Sequence, residues 1–294
     1  IDYPVFELIK LELKPAVERV SSTFNNPNIF SEALIMALPL VAYSSFFGKN
    51  NKYHLPCRFC LMFIAAGIAF SFSRGSYLAL IAIALVFCLT NMKKIIFVLL
   101  TLISGLFLVP ETVMERLFSI STWDQSISER FAIWLSSTSF IKSNPVFGIG
   151  AGVKNTWNLL LQKGIDAPHM HNLALQLLTE GGIIALVIFI IAGWKVFRSG
   201  FALIYKKPEK RETGVLLIAM VLGFAVNGFF DFPLMTPKLV GIFFMVTAVC
   251  DSILTINLGQ KQSPVQNVLR LQKQIIHVSD ERVAYTNYQK SNKI

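Results

Sequence analysis

Apolar residues run along this chain in long blocks separated by short polar breaks. A helix that crosses the hydrocarbon core of a bilayer needs roughly 20 mostly apolar residues. Seven stretches read that way: 29–47, 55–72, 75–91, 94–110, 173–197, 213–230 and 238–256. The pattern predicts an all-α, polytopic integral membrane protein with about seven transmembrane helices. The fifth stretch opens with a more polar run, NLALQLLTEGG, whose outer part is expected to face protein or water. Residues 1–28 precede the first span as an extracytoplasmic segment, and the polar tail 257–294 follows the last. The membrane domain is therefore 29–256.

The one long connection is 111–172. Loops of this length are usually functional or disordered. This one carries Trp123, Phe131, Trp134, Phe147 and Trp157, a composition that speaks for order. Ser126 and Glu129 form an S-x-x-E capping box. Ile127, Phe131, Trp134 and Ile141 then recur at helical spacing until Pro145 stops the run. An amphipathic helix over 127–143, lying on the outer membrane face, is predicted, with Arg130 one turn before Trp134. The following NPVFGIGAG reads either as a plain turn or as a loop whose backbone N–H groups approach a phosphate. DAPHMHN then leads into the fifth span, with Pro168 suited to a first helical turn.

Composition agrees with a membrane protein. Of 294 residues 54% are apolar and 15% charged, against about 25% charged in ordinary soluble domains. The net charge of +10 would suggest nucleic acid in a soluble protein. Alternating the spans removes that reading. One side (48–58, 92–94, 195–212 and 257–294) holds 17 of the 27 Lys and Arg residues, and the acids favour the other side. By the positive-inside rule the richer side is cytoplasmic, so the C-terminus is cytoplasmic and the long loop extracytoplasmic. No nucleic-acid partner is expected; the lipid bilayer is. In the tail, PVQNVLRLQKQIIH reads either as an amphipathic helix on the anionic inner leaflet or as a solvated segment. The chain begins with Ile1 and shows no signal peptide, so it reads as a fragment lacking its natural start.

Candidate chemistry gathers on the outer side. His169 and His171 lie near a helix N-terminus, which disfavours positive charge and favours neutral imidazole, a competent general base. Arg74 interrupts two apolar runs in FSFSRGSY, a costly place for a cation without a partner. With Arg130 it offers two guanidinium groups, suited to bidentate recognition of a diphosphate. Glu180 lies opposite His171 on one helix, badly placed to orient it from there, but able to face another helix. Asp231 reads as an acid at the outer end of a span. Cys57 and Cys60 form one CxxC without a second ligand pair, and the scattered cysteines imply no disulfide framework. His169 and His171 form an HxH without a carboxylate at ligand spacing, so no metal is expected.

Four segments in this order resemble the O-antigen ligase/polymerase superfamily of bacterial membrane glycosyltransferases. They are STFNNPNIFSEALIMALPL (22–40), SRGSYLALIAIAL (73–85), SERFAIWLSSTSFIKSNPVFGIGAG (128–152) and HMHNLALQLLTEGGIIA (169–185). The last resembles the family's His-Asn, nine residues, G-x-x-G pattern, with His171, Asn172 and Gly182 in place and Ala185 at the final Gly. The resemblance implies an inverting, metal-independent glycosyltransferase without a cofactor. Its donor is a glycan on undecaprenyl diphosphate, and its acceptor is a sugar hydroxyl on a glycan or glycolipid. The work is done at the outer face of the cytoplasmic membrane. Arg74, Arg130 and His171 would be catalytic, with the two arginines binding diphosphate, and His169, Asn172 and Glu180 would support them. Ligase and polymerase are both compatible with these motifs. A transporter, or a membrane protein without catalysis, is the alternative. A transporter predicts polar or broken helices near the midplane, whereas here the polar groups collect at the outer edge.

Overall fold

The structure is a computed structural model that describes residues 19–47, 51–88 and 125–258. Every regular element among them is helical. The main helices are α1 (Pro27–Phe47), α2 (His54–Ser71), α3 (Arg74–Cys88), α4 (Gln125–Ser143), α5 (Val153–Leu161), α6 (Leu173–Lys206), α7 (Arg211–Phe230) and α8 (Pro237–Leu258). Five of these, α1, α2, α6, α7 and α8, are long and apolar enough to cross a membrane. The shorter α3 is apolar over 15 residues. The predicted span 94–110, the segment 1–18 and the tail from residue 259 lie outside the described residues.

The chain divides into two compact units, Ile1–Phe243 and Phe244–Ile294. The first holds the bundle and all the candidate residues. Its centre is α7, where residues 213–219 are buried without a break. Over that stretch the helix is covered on all sides, as a helix hydrophobic all round should be. Glycines let its neighbours come close. An atom added at Gly214 would meet the carbonyl of Gly200 on α6 at 2.5 Å, and one at Gly223 would meet Ile83 on α3 at 2.5 Å. Close backbone approach through small residues is the usual packing between membrane helices, where apolar burial supplies little driving force. Ile35, Leu38, Ile68, Ala79, Ile83, Val215 and Ile218 complete this core.

Local sequence sets the ends of these helices. The side chain of Asn26 accepts from the N–H of Asn28 at 2.8 Å, and Pro27 opens α1 where a missing N–H costs nothing. Phe72, in the left-handed region at φ 53°, closes α2, and Arg74 begins α3 after a two-residue turn. Asn172 caps α6, its Oδ1 accepting from the N–H of Leu175 at 3.0 Å.

The loop departs from expectation in four places. Its helix α4 begins at Gln125, two residues before the predicted start, with Ser126 inside its first turn. The buried face of α4 is Ile133 and Ser137, with Trp134 and Phe140 packed at its side, while Phe131 is half exposed. A second helix, α5, was not foreseen. Pro168 precedes α6 by five residues and is not in its first turn.

The first part of α6 faces protein, with Leu173, Gln176 and Thr179 buried. The helix then breaks at Gly182 (φ 64°, ψ −164°). The Pro145–Gly150 turn lies in the break. Ile149 and Gly150 donate to the carbonyls of Thr179 and Glu180, and Ile183 donates to Pro145, each at 2.9 Å. A Cβ on Gly182 would collide with the carbonyl of Val146, and one on Gly148 with the backbone of Glu180. The glycines are there for close packing of two backbones. With Gly148 donating to Asn144 as well, the N–H groups of 148–150 are all engaged, so these three are not free for a phosphate.

Candidate active site

Four segments of the first unit meet at one end of the bundle: the start of α1, the α2–α3 turn, the loop 125–172, and the end of α7. The alternation of spans put these same four on one side. Asp231, just past α7, is the point on which they converge. Its Oδ1 accepts from His169 Nε2 at 2.8 Å, from His171 Nδ1 at 3.0 Å and from the N–H of Phe232 at 2.9 Å. Its Oδ2 accepts from Asn28 Nδ2 at 3.3 Å. Asn28 in turn accepts from Arg19, which also donates to the carbonyl of Ser71 at 2.8 Å.

Burial by itself would raise the Asp231 carboxyl, but the hydrogen bonds and charges of His169 and His171 overrule it and hold the group well below the usual carboxylate range. Burial pushes His169 the other way, below its ordinary value, against the pull of Asp231. Both shifts favour an ionised Asp231 facing a neutral His169. A carboxylate only accepts, so each histidine turns an N–H toward it. The neutral tautomers are then fixed: the remaining lone pair is at Nδ1 in His169 and at Nε2 in His171. His169 is 6% exposed and its Nδ1 has no partner among the described residues. His171 is more open, and its Nε2 is the nitrogen available for chemistry.

His171 also has φ 46°, a conformation that costs a side-chain-bearing residue about 1 kcal/mol or more. Its neighbours hold it there. The carbonyl of Met170 accepts from Trp134 Nε1 at 2.9 Å, and the N–H of Met170 donates to Gln176 Oε1 at 2.8 Å. Gln176 then donates to Thr156 on α5 and to Glu180. Asn172 donates to the carbonyl of Phe229 at 2.9 Å. Glu180 therefore meets the histidine loop through Gln176, from the same helix, a route that the opposite placement of Glu180 and His171 did not suggest.

Arg130 donates to the carbonyl of Phe230 at 2.8 Å, one residue from Asp231. Arg74 opens α3, and the next residue, Gly75, lies against the side chain of Phe230. Arg130 and the start of α3 thus approach Phe230 from different elements. Below them Ser76 bridges Ser31 at 2.7 Å and accepts from Asn227 at 3.2 Å. Glu32 lies one turn beyond Asn28 on α1, 2% exposed, within electrostatic reach of Asp231 and Arg130.

Sequence reasoning therefore missed Arg19, Asn28, Glu32 and Gln176, and read Asp231 as a helix-end acid. An acid inside an apolar span was a legible signal for Glu32. The joining of Asp231 to histidines sixty residues away was not.

His169, His171 and Asp231 also offer three ligand atoms within 4.8 Å of one another, a set that could hold a metal ion. The expectation that no carboxylate joins the HxH is corrected: spacing along the chain excluded it, and the fold supplies it. The separations of 2.8 and 3.0 Å are hydrogen-bond lengths. A ligating histidine normally donates its second N–H to an outer partner, and His169 has none described.

These features describe a helical membrane protein with a polar site of two histidines, an aspartate and arginines at one end of its bundle. The family model for O-antigen ligase matches residues 59–190, so this segment of the chain is similar to that family. The match takes in Arg74, Arg130, His169, His171, Asn172 and Glu180, and ends before Asp231. No curated protein matches the chain.

Proposed function

We propose that this protein is a membrane glycosyltransferase of surface-polysaccharide synthesis. It moves a glycan from undecaprenyl diphosphate, or a similar polyprenyl diphosphate, to a sugar hydroxyl at the outer face of the cytoplasmic membrane. The observation that carries the reading is the Asp231–His171 pair, which leaves Nε2 of His171 as an oriented base, while Arg130 bonds the carbonyl of Phe230 one residue from Asp231.

In this reading His171 Nε2 takes the proton of the acceptor hydroxyl. The oxygen attacks the anomeric carbon from the face opposite the diphosphate, and the configuration inverts. The bond from the anomeric carbon to the phosphate oxygen breaks, and its electrons leave with the lipid diphosphate. Arg130 and Arg74 stabilise the charge that grows there. Asp231 stabilises the imidazolium that forms and fixes its tautomer. His169 shares Asp231 as a neutral neighbour, and Asn172 and Glu180 hold the loop. Two guanidinium groups supply the positive charge a metal would otherwise provide, so the reaction is expected to run in EDTA.

Asp231→Asn tests the pair. An amide can turn its NH2 toward the histidines and favour the wrong tautomer. With donor and acceptor in reconstituted membranes, kcat should fall on the order of 10²–10⁴-fold with KM nearly unchanged. A variant that keeps wild-type kcat contradicts the assignment of the base.

A further inference from the structure

The short helix α5 carries a feature that the transfer site does not use. Its buried face is Thr156 and Leu160, both fully covered. Trp157, the next residue round the helix, is 42% exposed. Its indole N–H donates to Asp166 Oδ1 at 2.8 Å, so the ring is held in one orientation at the surface. A carboxylate has about four lone-pair sites, and this bond uses one. Lys154, Asn158 and Gln162 are exposed around it, as is the apolar Leu161 one turn on.

The platform is also tied to the histidine loop. Thr156 accepts from Gln176 at 3.0 Å, and Gln176 accepts from the N–H of Met170, between the two histidines. Leu160, Ala167 and Met170 pack in one cluster with Ile133. Asp166 precedes His171 by five residues, which the backbone can stretch to about 17 Å at most. That is a reach of a few sugar units.

From these facts we infer that Trp157 and Asp166 form a saccharide-binding subsite, taking a pyranose ring of the glycan chain a few units away from the bond being made. The apolar C–H face of the sugar stacks on the electron-rich face of the indole, while Asp166 and the surrounding amides accept and donate to its hydroxyls. The inference rests on the transfer reading for its purpose, but the binding it describes is separate from catalysis. The ring belongs either to the donor glycan or to the acceptor.

The test measures binding and transfer separately, with the whole chain in lipid. The probe is an oligosaccharide cut from the host's own surface glycan, free of diphosphate and lipid. Saturation-transfer NMR should show it bound to wild type and equally to His171→Ala. Trp157→Ala and Trp157→Leu should weaken it about tenfold, the loss expected from removing one aromatic contact. Trp157→Tyr, which keeps a ring, should stay within about threefold, and Asp166→Asn should fall between. In transfer assays the same variants should raise one KM with kcat kept, and whether the donor or the acceptor KM moves names the source of the ring. Wild-type binding by Trp157→Leu overturns the subsite and marks Trp157 as an apolar anchor. No probe binding to wild type overturns it as well. Binding that follows this pattern without any transfer by wild type upholds the subsite and overturns the transferase reading instead.

Discussion

At the scale of single residues, the site is organised by one carboxylate with more donors than it needs. Asp231 takes four hydrogen bonds, and two consequences can be measured. The first is pH dependence. His169 is held below its ordinary value of 6.5, so the unfolded chain binds that proton more readily than the folded one. The stability His169 contributes is present above pH 6.5 and is lost as pH falls through its folded value. Asp231, also held down, acts with the same sign in a more acidic window, losing its contribution below its ordinary 3.8. Thermal unfolding in detergent should be level above about pH 7 and fall as the pH drops toward about 5. His169→Gln should remove that first decline, and an unchanged decline in the variant would assign it to another group. The second concerns Asn172, which caps α6 and also binds the carbonyl of Phe229. Asn172→Ala should cost about 1–2 kcal/mol. Asn172→Asp keeps the cap and should recover part of that loss, read as the denaturation midpoint. His169, His171 and Asn172 stood out in the sequence because polar residues are few at the end of an apolar block. Asp231 did not, because its meaning comes from partners sixty positions away.

At the scale of elements, the apolar blocks were legible because a helix in hydrocarbon has to satisfy all its backbone groups internally and over a fixed length. The observed bounds of α1, α2, α6 and α7 begin within about two residues of the predicted ones, ordinary for helix ends. What periodicity could not show was the break in α6. Gly181 and Gly182 stand inside what read as one span, and only the docked Pro145–Gly150 turn explains why the helix opens there. The freed backbone groups find partners on that turn, the condition for irregular backbone at such a place. Gly182→Ala should therefore be among the most damaging small substitutions in the chain. It puts a Cβ into the carbonyl of Val146 at a positive φ, with an expected cost above about 2 kcal/mol. Gly193→Ala, where an added Cβ meets nothing within 4 Å, should leave stability unchanged or slightly higher. Unfolding midpoints of the two variants check this, and equal midpoints would count against the docked turn.

At the scale of the whole molecule, the charge asymmetry and the gathering of four segments at one end point the same way. The positive-inside rule would turn that end away from the cytoplasm. In a chain freed of its own cysteines, Ser139→Cys on α4 should react with an impermeant maleimide added outside cells, and Lys207→Cys only after permeabilisation; the reverse pattern would invert the topology. The family match covers the segment that bears the arginines and histidines, and the arrangement of those groups around Asp231 is what gives the transfer reading its chemistry. That claim is tested most directly by supplying host polyprenyl-diphosphate glycan and host acceptor lipid to the full-length protein in proteoliposomes with EDTA present. Sugar and lipid diphosphate are then followed by gel and mass analysis. Wild type should transfer or extend the glycan and release one lipid diphosphate for each transfer. His171→Ala and Arg130→Ala, still folded, should lose on the order of 10²-fold or more of the rate. Absence of transfer from an authentic donor, or variants that match wild type, would contradict the account.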